Sequence, residues 1–330
     1  MNDFENKPDH KPEKNDDDHS EENYSEKTKV FARINPIAAG FIGLFGGFFL
    51  YQIVGGALSL MIFGMSTEDD SVNAVRLMTM AGQILFMLLP ALVLSKMVYE
   101  DVSAVINIKI PAMKELGLFL LGMIILTPLL QSYLAIQNHF IEQWAANYKI
   151  INDIKIFFDD MNVLVEKAYS SMLNATNVFD GLLIIIVVAV VPAIAEETLF
   201  RGFIQKSFEF RMSPFIAALI TAIFFGAFHF SPYAMLPLMT LGLFFGYAAY
   251  KSDSLIIPIA LHFFNNFVAV LLYFLIGSED IIDSKMANTV DLRNSFILFA
   301  VSLSLFIVLI FIINYYYSQN RIRSSYANLP

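Results

Sequence analysis

Five ionisable side chains lie in the interior of otherwise apolar segments of this sequence. They are Glu196, Glu197, Arg201, His229 and His262. A charged group at bilayer depth costs at least ~2.5–3.5 kcal/mol, so such groups usually have partners and a function. Carboxylates and imidazoles are also the side chains that most often transfer protons in catalysis. The pattern therefore predicts one buried reaction centre within a membrane.

Helical spacing separates the roles of the two glutamates. Glu197 and Arg201 are four residues apart with the acid first, which favours an ion pair on one helix face. Adjacent residues on a helix point about 100° apart, so Glu196 is left to face something else. We predict Glu196 as the reactive acid or base and Glu197 with Arg201 as a structural pair.

The remaining polar groups follow the same spacing of four. His229 comes four residues after Phe225, where its apolar segment ends. His262 and Asn266 share one helix face, and an imidazole with an amide can donate two hydrogen bonds toward one point, as an oxyanion hole requires. Asn265 points to another side and is a weaker candidate.

The composition indicates a polytopic helical membrane protein, which is an all-α fold class. Hydrophobic residues make up 57% of the 330 residues, charged residues 15%, and the mean hydropathy is +0.60. A soluble domain of this length needs more polar surface. Cysteine is absent, which excludes disulfides, thiolate metal sites and a cysteine nucleophile.

A hydrocarbon core of ~30 Å takes about 20 apolar residues per helix, and on that basis the chain holds about eight transmembrane helices. The predicted spans are 36–64, 75–96, 114–136, 181–208, 214–230, 235–250, 254–276 and 294–317. The Lys and Arg residues of the connecting loops fall on alternate sides. By the positive-inside rule both termini are then cytoplasmic.

Two regions outside these spans have their own composition. Residues 1–32 hold ten acidic residues and five Lys, which predicts a disordered acidic cytoplasmic tail ahead of a transmembrane domain at 33–330. The loop 137–180 is too long for a simple connection. It is expected to be an extracytoplasmic or interfacial loop with helices in the membrane interface. Residues 181–276 would form the catalytic core.

These motifs resemble those of the CAAX-protease and bacteriocin-processing family of intramembrane endopeptidases, also called the Abi family. The family pattern is a Glu-Glu pair with Arg four residues after the second Glu, then Phe with His four later, then His with Asn or a similar residue four later. Here the motifs are Glu196-Glu197-x-x-x-Arg201, Phe225-x-x-x-His229 and His262-x-x-x-Asn266. The match covers about 181–276.

The resemblance implies hydrolysis of a peptide bond. Glu196 with His229 would activate a water, while His262 and Asn266 would stabilise the oxyanion. The substrate would be a membrane-tethered, prenylated or otherwise lipophilic peptide in the lipid bilayer, and no nucleic acid is expected. The expected location is the bacterial cytoplasmic membrane.

The residues leave the metal question open. Glu196, His229 and His262 could supply three zinc ligands with an open fourth position. A separate base would then be needed, and Glu197 is already committed to Arg201. We favour a metal-free glutamate mechanism without a cofactor, and retain zinc as the alternative.

Two other functions remain open at this point. Intramembrane Glu and His residues also serve as proton relays in ion- or proton-coupled transporters, although the sequence shows no repeated halves with matching broken helices. A catalytically silent membrane scaffold or immunity protein would carry the same motifs without using them.

Overall fold

The protein is all-helical wherever the structure describes it. The computed structural model describes residues 31–64, 72–276 and 291–327, and no strand occurs among them. The tail predicted for 1–32 lies outside these residues, apart from its last two. From Ala32 onward the described chain belongs to one compact unit.

Nine long helices follow one another along the described chain. They are α1 (Pro36–Phe63), α2 (Val72–Tyr99), α3 (Met113–Asn147), α4 (Lys149–Leu173), α5 (Val178–Glu209), α6 (Pro214–Ala227), α7 (Met235–Ser252), α8 (Ile256–Ile276) and α9 (Leu292–Ala327). Helices α1 and α5 contain π-helical stretches at Phe49–Gly55, Ile185–Val190 and Thr198–Gln205. Such stretches are frequent at functional sites.

Each predicted span is occupied by a helix, although the count of eight crossings stays a prediction. Within the described residues, six helices are long and apolar enough to cross a membrane, namely α1, α2, α3, α5, α8 and α9. These six make the chain an integral membrane protein. Helix α6, with 14 residues, falls short of that length and ends at Ala227. The cytoplasmic placement of both termini also stays a prediction.

The region 137–180 contains more regular structure than a loop. Helix α3 continues to Asn147, well past the predicted end at residue 136, and α4 follows after Tyr148 alone. The buried Arg76 of α2 holds the far end of α4, because its guanidinium donates to the carbonyls of Met172 and Asn174. The carbonyl groups at that helix end thereby gain the partners that they would otherwise lack.

Helix α5 lies at the centre of the bundle and contacts α1, α2, α4, α6, α7 and α8. Small residues of α1 let it approach α5 closely. A Cβ atom at Gly40 would lie 2.5 Å from the ring of Phe208, and one at Gly43 would lie 2.9 Å from Phe203. Small residues at such positions let helix backbones approach closely.

Candidate active site

The predicted ion pair between Glu197 and Arg201 is present at the centre of α5. Arg201 Nη1 lies 2.9 Å from Glu197 Oε1, and both side chains are fully buried. Arg201 Nη2 also donates to the carbonyl of Gly242 on α7 at 3.0 Å. The guanidinium lies over the ring of Phe225 on α6, 4.4 Å from its centroid. Arg201 therefore joins three helices around one buried charge.

His262 brings a fourth helix, α8, to the same carboxylate. Its Nδ1 lies 2.8 Å from Glu197 Oε1, the oxygen that also accepts from Arg201. The imidazole stacks on Phe245 with 5.6 Å between ring centroids. Sequence spacing did not predict this contact, since it placed His262 beside Asn266 and gave Glu197 a single partner.

The Glu197 contact also fixes the tautomer of His262. A carboxylate can only accept, so Nδ1 carries the proton that it donates. In a neutral ring Nε2 is then an acceptor. His262 can donate through Nε2 to an oxyanion only when the ring carries a second proton.

His229 lies in the turn that follows α6. Its Nδ1 lies 2.7 Å from the carbonyl oxygen of Phe225, and a carbonyl can only accept. Nδ1 is therefore the protonated nitrogen and Nε2 of the neutral ring is a free base. The ring of Phe225 lies beside both imidazoles, 4.8 Å from His229 and 6.1 Å from His262.

Glu196 has an unsatisfied oxygen in the interior. Its Oε2 is buried and has no hydrogen-bond partner among the described residues. The hydroxyls of Tyr51 on α1 and Tyr169 on α4 lie within electrostatic reach of this carboxylate. A buried polar atom with no partner usually binds an ordered water. The carboxylate at 196 is thus placed to hold a water.

Tyr169 is the member of this group that lies outside the candidate membrane spans. Although 48% of the residue is exposed, its hydroxyl end lies among protein atoms close to Glu196. Burial, and next the negative charge of Glu196, raise the pKa of Tyr169. Its hydroxyl therefore stays protonated and can donate.

Helix packing brings Glu196 and His229 to the same level. Helices α5 and α6 are antiparallel neighbours joined by residues 210–213, and the rings of Phe200 and Phe225 meet at 5.3 Å. Glu196 lies one turn before Phe200 and His229 one turn after Phe225. On antiparallel helices both steps lead in the same direction.

Asn266 has a structural partner that the sequence interpretation missed. Its Nδ2 donates to the carbonyl of Val188 at 2.9 Å, and Asn265 Nδ2 lies 3.1 Å from Asn266 Oδ1. Pro192, four residues after Val188, has no N–H to give that carbonyl. One amide hydrogen of Asn266 thus compensates for the proline, and only the other can serve an oxyanion.

Gln52 is a further residue of the site. From the π-helical stretch of α1 it donates to the carbonyl of Phe228 at 2.7 Å, which fixes the turn that carries His229. The signal in the sequence was the pair Tyr51-Gln52, two polar side chains inside an apolar span.

The donor set does not form a preassembled metal site. In the described part of the chain, no three His, Asp or Glu side chains are grouped as metal coordination requires. The alternative with zinc on Glu196, His229 and His262 remains a prediction for experiment.

Fold and site together define an integral membrane protein whose helix bundle holds a buried network of Glu197, Arg201 and His262. Residues 178–268 match the family model described as type II CAAX prenyl endopeptidase Rce1-like. The match confirms the predicted resemblance to the CAAX-protease family of intramembrane endopeptidases. No curated protein and no solved structure matches the chain.

Proposed function

We propose that the protein is an intramembrane endopeptidase that cleaves a peptide bond of a membrane-associated protein or peptide with a water activated by Glu196 and His229. The observation that carries the proposal is the unpartnered buried Oε2 of Glu196 at the level of His229. Two bases at one level can hold a water between them. General-base catalysis of this kind contributes ~10²–10⁴-fold.

The proposed reaction has two proton transfers. Glu196 removes a proton from the water as its oxygen attacks the scissile carbonyl carbon, and the carbonyl oxygen becomes an oxyanion. The C–N bond then breaks while the proton passes to the leaving amine. The free Nε2 of His229 accepts a hydrogen bond from the water and directs its lone pair.

The oxyanion is assigned to His262 and the second N–H of Asn266. The network with Glu197 and Arg201 holds His262 in place, and Asn266 is fixed by Val188. Preorganised donors of this type contribute about 3–4 kcal/mol each to transition-state stabilisation.

We propose that this mechanism needs no metal. With zinc on Glu196, His229 and His262, no carboxylate would be left as a base, because Glu197 accepts from Arg201 and His262. The measurement is activity after treatment with a zinc chelator, together with the metal content of the purified protein. Full activity without bound zinc is expected, and loss that zinc restores contradicts it.

Glu196→Gln tests the proposed function directly. The amide cannot accept the proton, so we expect cleavage to fall by ~10²-fold or more while the protein still inserts. Comparative profiling of new peptide termini in membranes with the native chain or the variant measures this. Glu142→Gln, the same change at an exposed position of α3, is the matched control.

The same experiment separates the alternatives. A transporter would move a solute across sealed vesicles without producing new termini. A silent scaffold would leave the terminus profile and the phenotype unchanged in both variants. Identical profiles for the native chain and Glu196→Gln contradict the endopeptidase.

A further inference from the structure

The two ends of the helix bundle differ in charge and in their contacts. We call one end the basic face. It carries Arg33, Lys96, Lys109, Lys114, Lys206, Arg211 and Lys251. Ion pairs between neighbouring segments hold this end together as one surface. Arg33 pairs with Glu100 at 2.9 Å and Lys206 with Asp253 at 3.0 Å.

The opposite end is covered by α4, and we call it the α4 face. Tyr233, in the segment that links α6 to α7, donates to Asp159 of α4 at 2.6 Å. Gln137 of α3 donates to the carbonyl of Tyr233 at 3.0 Å. Helix α4 therefore reaches from the segment beside His229 to Tyr169 near Glu196.

Access to Glu196 from the basic face is closed. Every residue of α5 from Glu197 to Gln205 is buried. On α8, Ile257, Leu261 and His262 are also buried. A peptide could not pass these closely packed turns without unfolding them.

Exposure instead increases toward the α4 face. On α8, the residues that follow His262, including Asn265 and Asn266, are partly exposed. His229 is partly exposed and Phe230 beside it is 45% exposed. The more exposed end of the site is therefore the one at the α4 face, and access to Glu196 lies beneath α4.

The charges assign each face to one side of the membrane. Cytoplasmic loops carry the excess of Lys and Arg, which identifies the basic face as cytoplasmic. In the sequence, the connections 64–71, between α1 and α2, and 277–290, between α8 and α9, hold six acidic residues and one Lys. That end also carries Arg76, Arg293 and the three Lys of α4, five basic residues against the seven of the basic face.

We infer that the reaction centre is reached from the extracytoplasmic side, beneath α4. This inference rests on the proposed function and defines its substrate class. The substrate is an exported or membrane-anchored chain whose cleavage site lies outside the cytoplasm. A prenylated C-terminus exposed to the cytoplasm would meet the closed end.

The chain contains no cysteine, so single cysteines can report the orientation. Asn152→Cys, exposed on α4, and Ile110→Cys, exposed at the basic face, alter no charge. Intact cells are treated with a membrane-impermeant maleimide before and after permeabilisation. We expect Asn152→Cys to react in intact cells and Ile110→Cys only after permeabilisation. The reverse pattern, or an unreactive Asn152→Cys in intact cells, overturns the inference.

A second measurement concerns the cleavage sites. Termini that disappear in Glu196→Gln membranes should map to extracytoplasmic segments of their parent proteins, and sites in cytoplasmic segments overturn the inference. These outcomes are distinct from failure of the proposed function. If Glu196→Gln changes no termini, the endopeptidase fails while the labelling still decides which side the α4 face occupies.

Discussion

At the scale of single residues, Arg201 has the greatest effect on stability. It is the counter-ion of a carboxylate with no exposed surface. Removing one partner of a buried ion pair costs about 3–5 kcal/mol, because the other charge is left uncompensated. We therefore expect Arg201→Met to lower the thermal unfolding temperature in detergent sharply, and Arg201→Lys to lower it less.

A matched pair at the surface provides the control for this prediction. Arg33 and Glu100 are joined at the same distance, 2.9 Å, but their side chains are 59% and 52% exposed. Exposed pairs contribute ~0–1 kcal/mol. Arg33→Met should then unfold close to the native temperature. Equal effects of the two Met variants contradict the role given to the buried network.

The residue scale also shows what sequence spacing can establish. The Glu197–Arg201 pair follows from positions on one helix and was predicted correctly. The bonds from His262 to Glu197 and from Asn266 to Val188 join different helices. Their formation depends on how each helix is rotated and where it crosses its neighbour, which residue spacing does not specify. The family motifs name these residues without giving their partners.

At the scale of elements, α4 depends on the bond from Tyr233 to Asp159. Burial alone would raise the pKa of Asp159, but hydrogen bonds from Lys155 and Tyr233 and the Lys155 charge more than offset it and hold the pKa below its usual range. A carboxyl whose pKa is lower in the folded state than in the unfolded state stabilises the folded state. This stabilisation is fully present when the pH is above the unfolded pKa of ~3.9. This contribution is lost only as the pH falls through the lower, folded value.

Tyr233→Phe removes this hydrogen bond at neutral pH. A net loss of ~1 kcal/mol corresponds to about fivefold more frequent local opening. We expect amide hydrogen exchange of α4 to accelerate by that factor in the variant, and the native chain to approach the same rate only under strongly acidic conditions. Tyr148→Phe, at the exposed turn between α3 and α4, is the control. Unchanged exchange in Tyr233→Phe would show that other contacts hold α4.

At the scale of the whole molecule, the site depends on helices that are distant in sequence from the family motifs. The matched segment 178–268 includes the predicted catalytic residues, whereas Tyr51 and Gln52 come from α1 and Tyr169 from α4. The glycines of α1 are typical of close helix packing, but the sequence alone does not identify the partner helix. That partner is α5, the helix that carries Glu196 and Glu197. The close packing of α1 against α5 therefore sets the position of Gln52 relative to His229.

Two glycines of α1 allow this dependence to be tested with the same substitution. A Cβ atom at Gly43 would lie 2.9 Å from both Ile204 and Phe203 of α5, whereas one at Gly46 meets nothing within 4 Å. Gly43→Ala should force the helices apart at a cost of ~1–3 kcal/mol. Gly46→Ala should stabilise the protein by roughly 0.5–1 kcal/mol, because alanine favours the helix.

Displacement of α1 should also weaken the hydrogen bond from Gln52 to the carbonyl of Phe228, so Gly43→Ala should lower the cleavage rate as well as the unfolding temperature. Gln52→Leu should reproduce the loss of activity with a smaller loss of stability. Full activity in both variants would mean that α1 supports the fold without positioning His229.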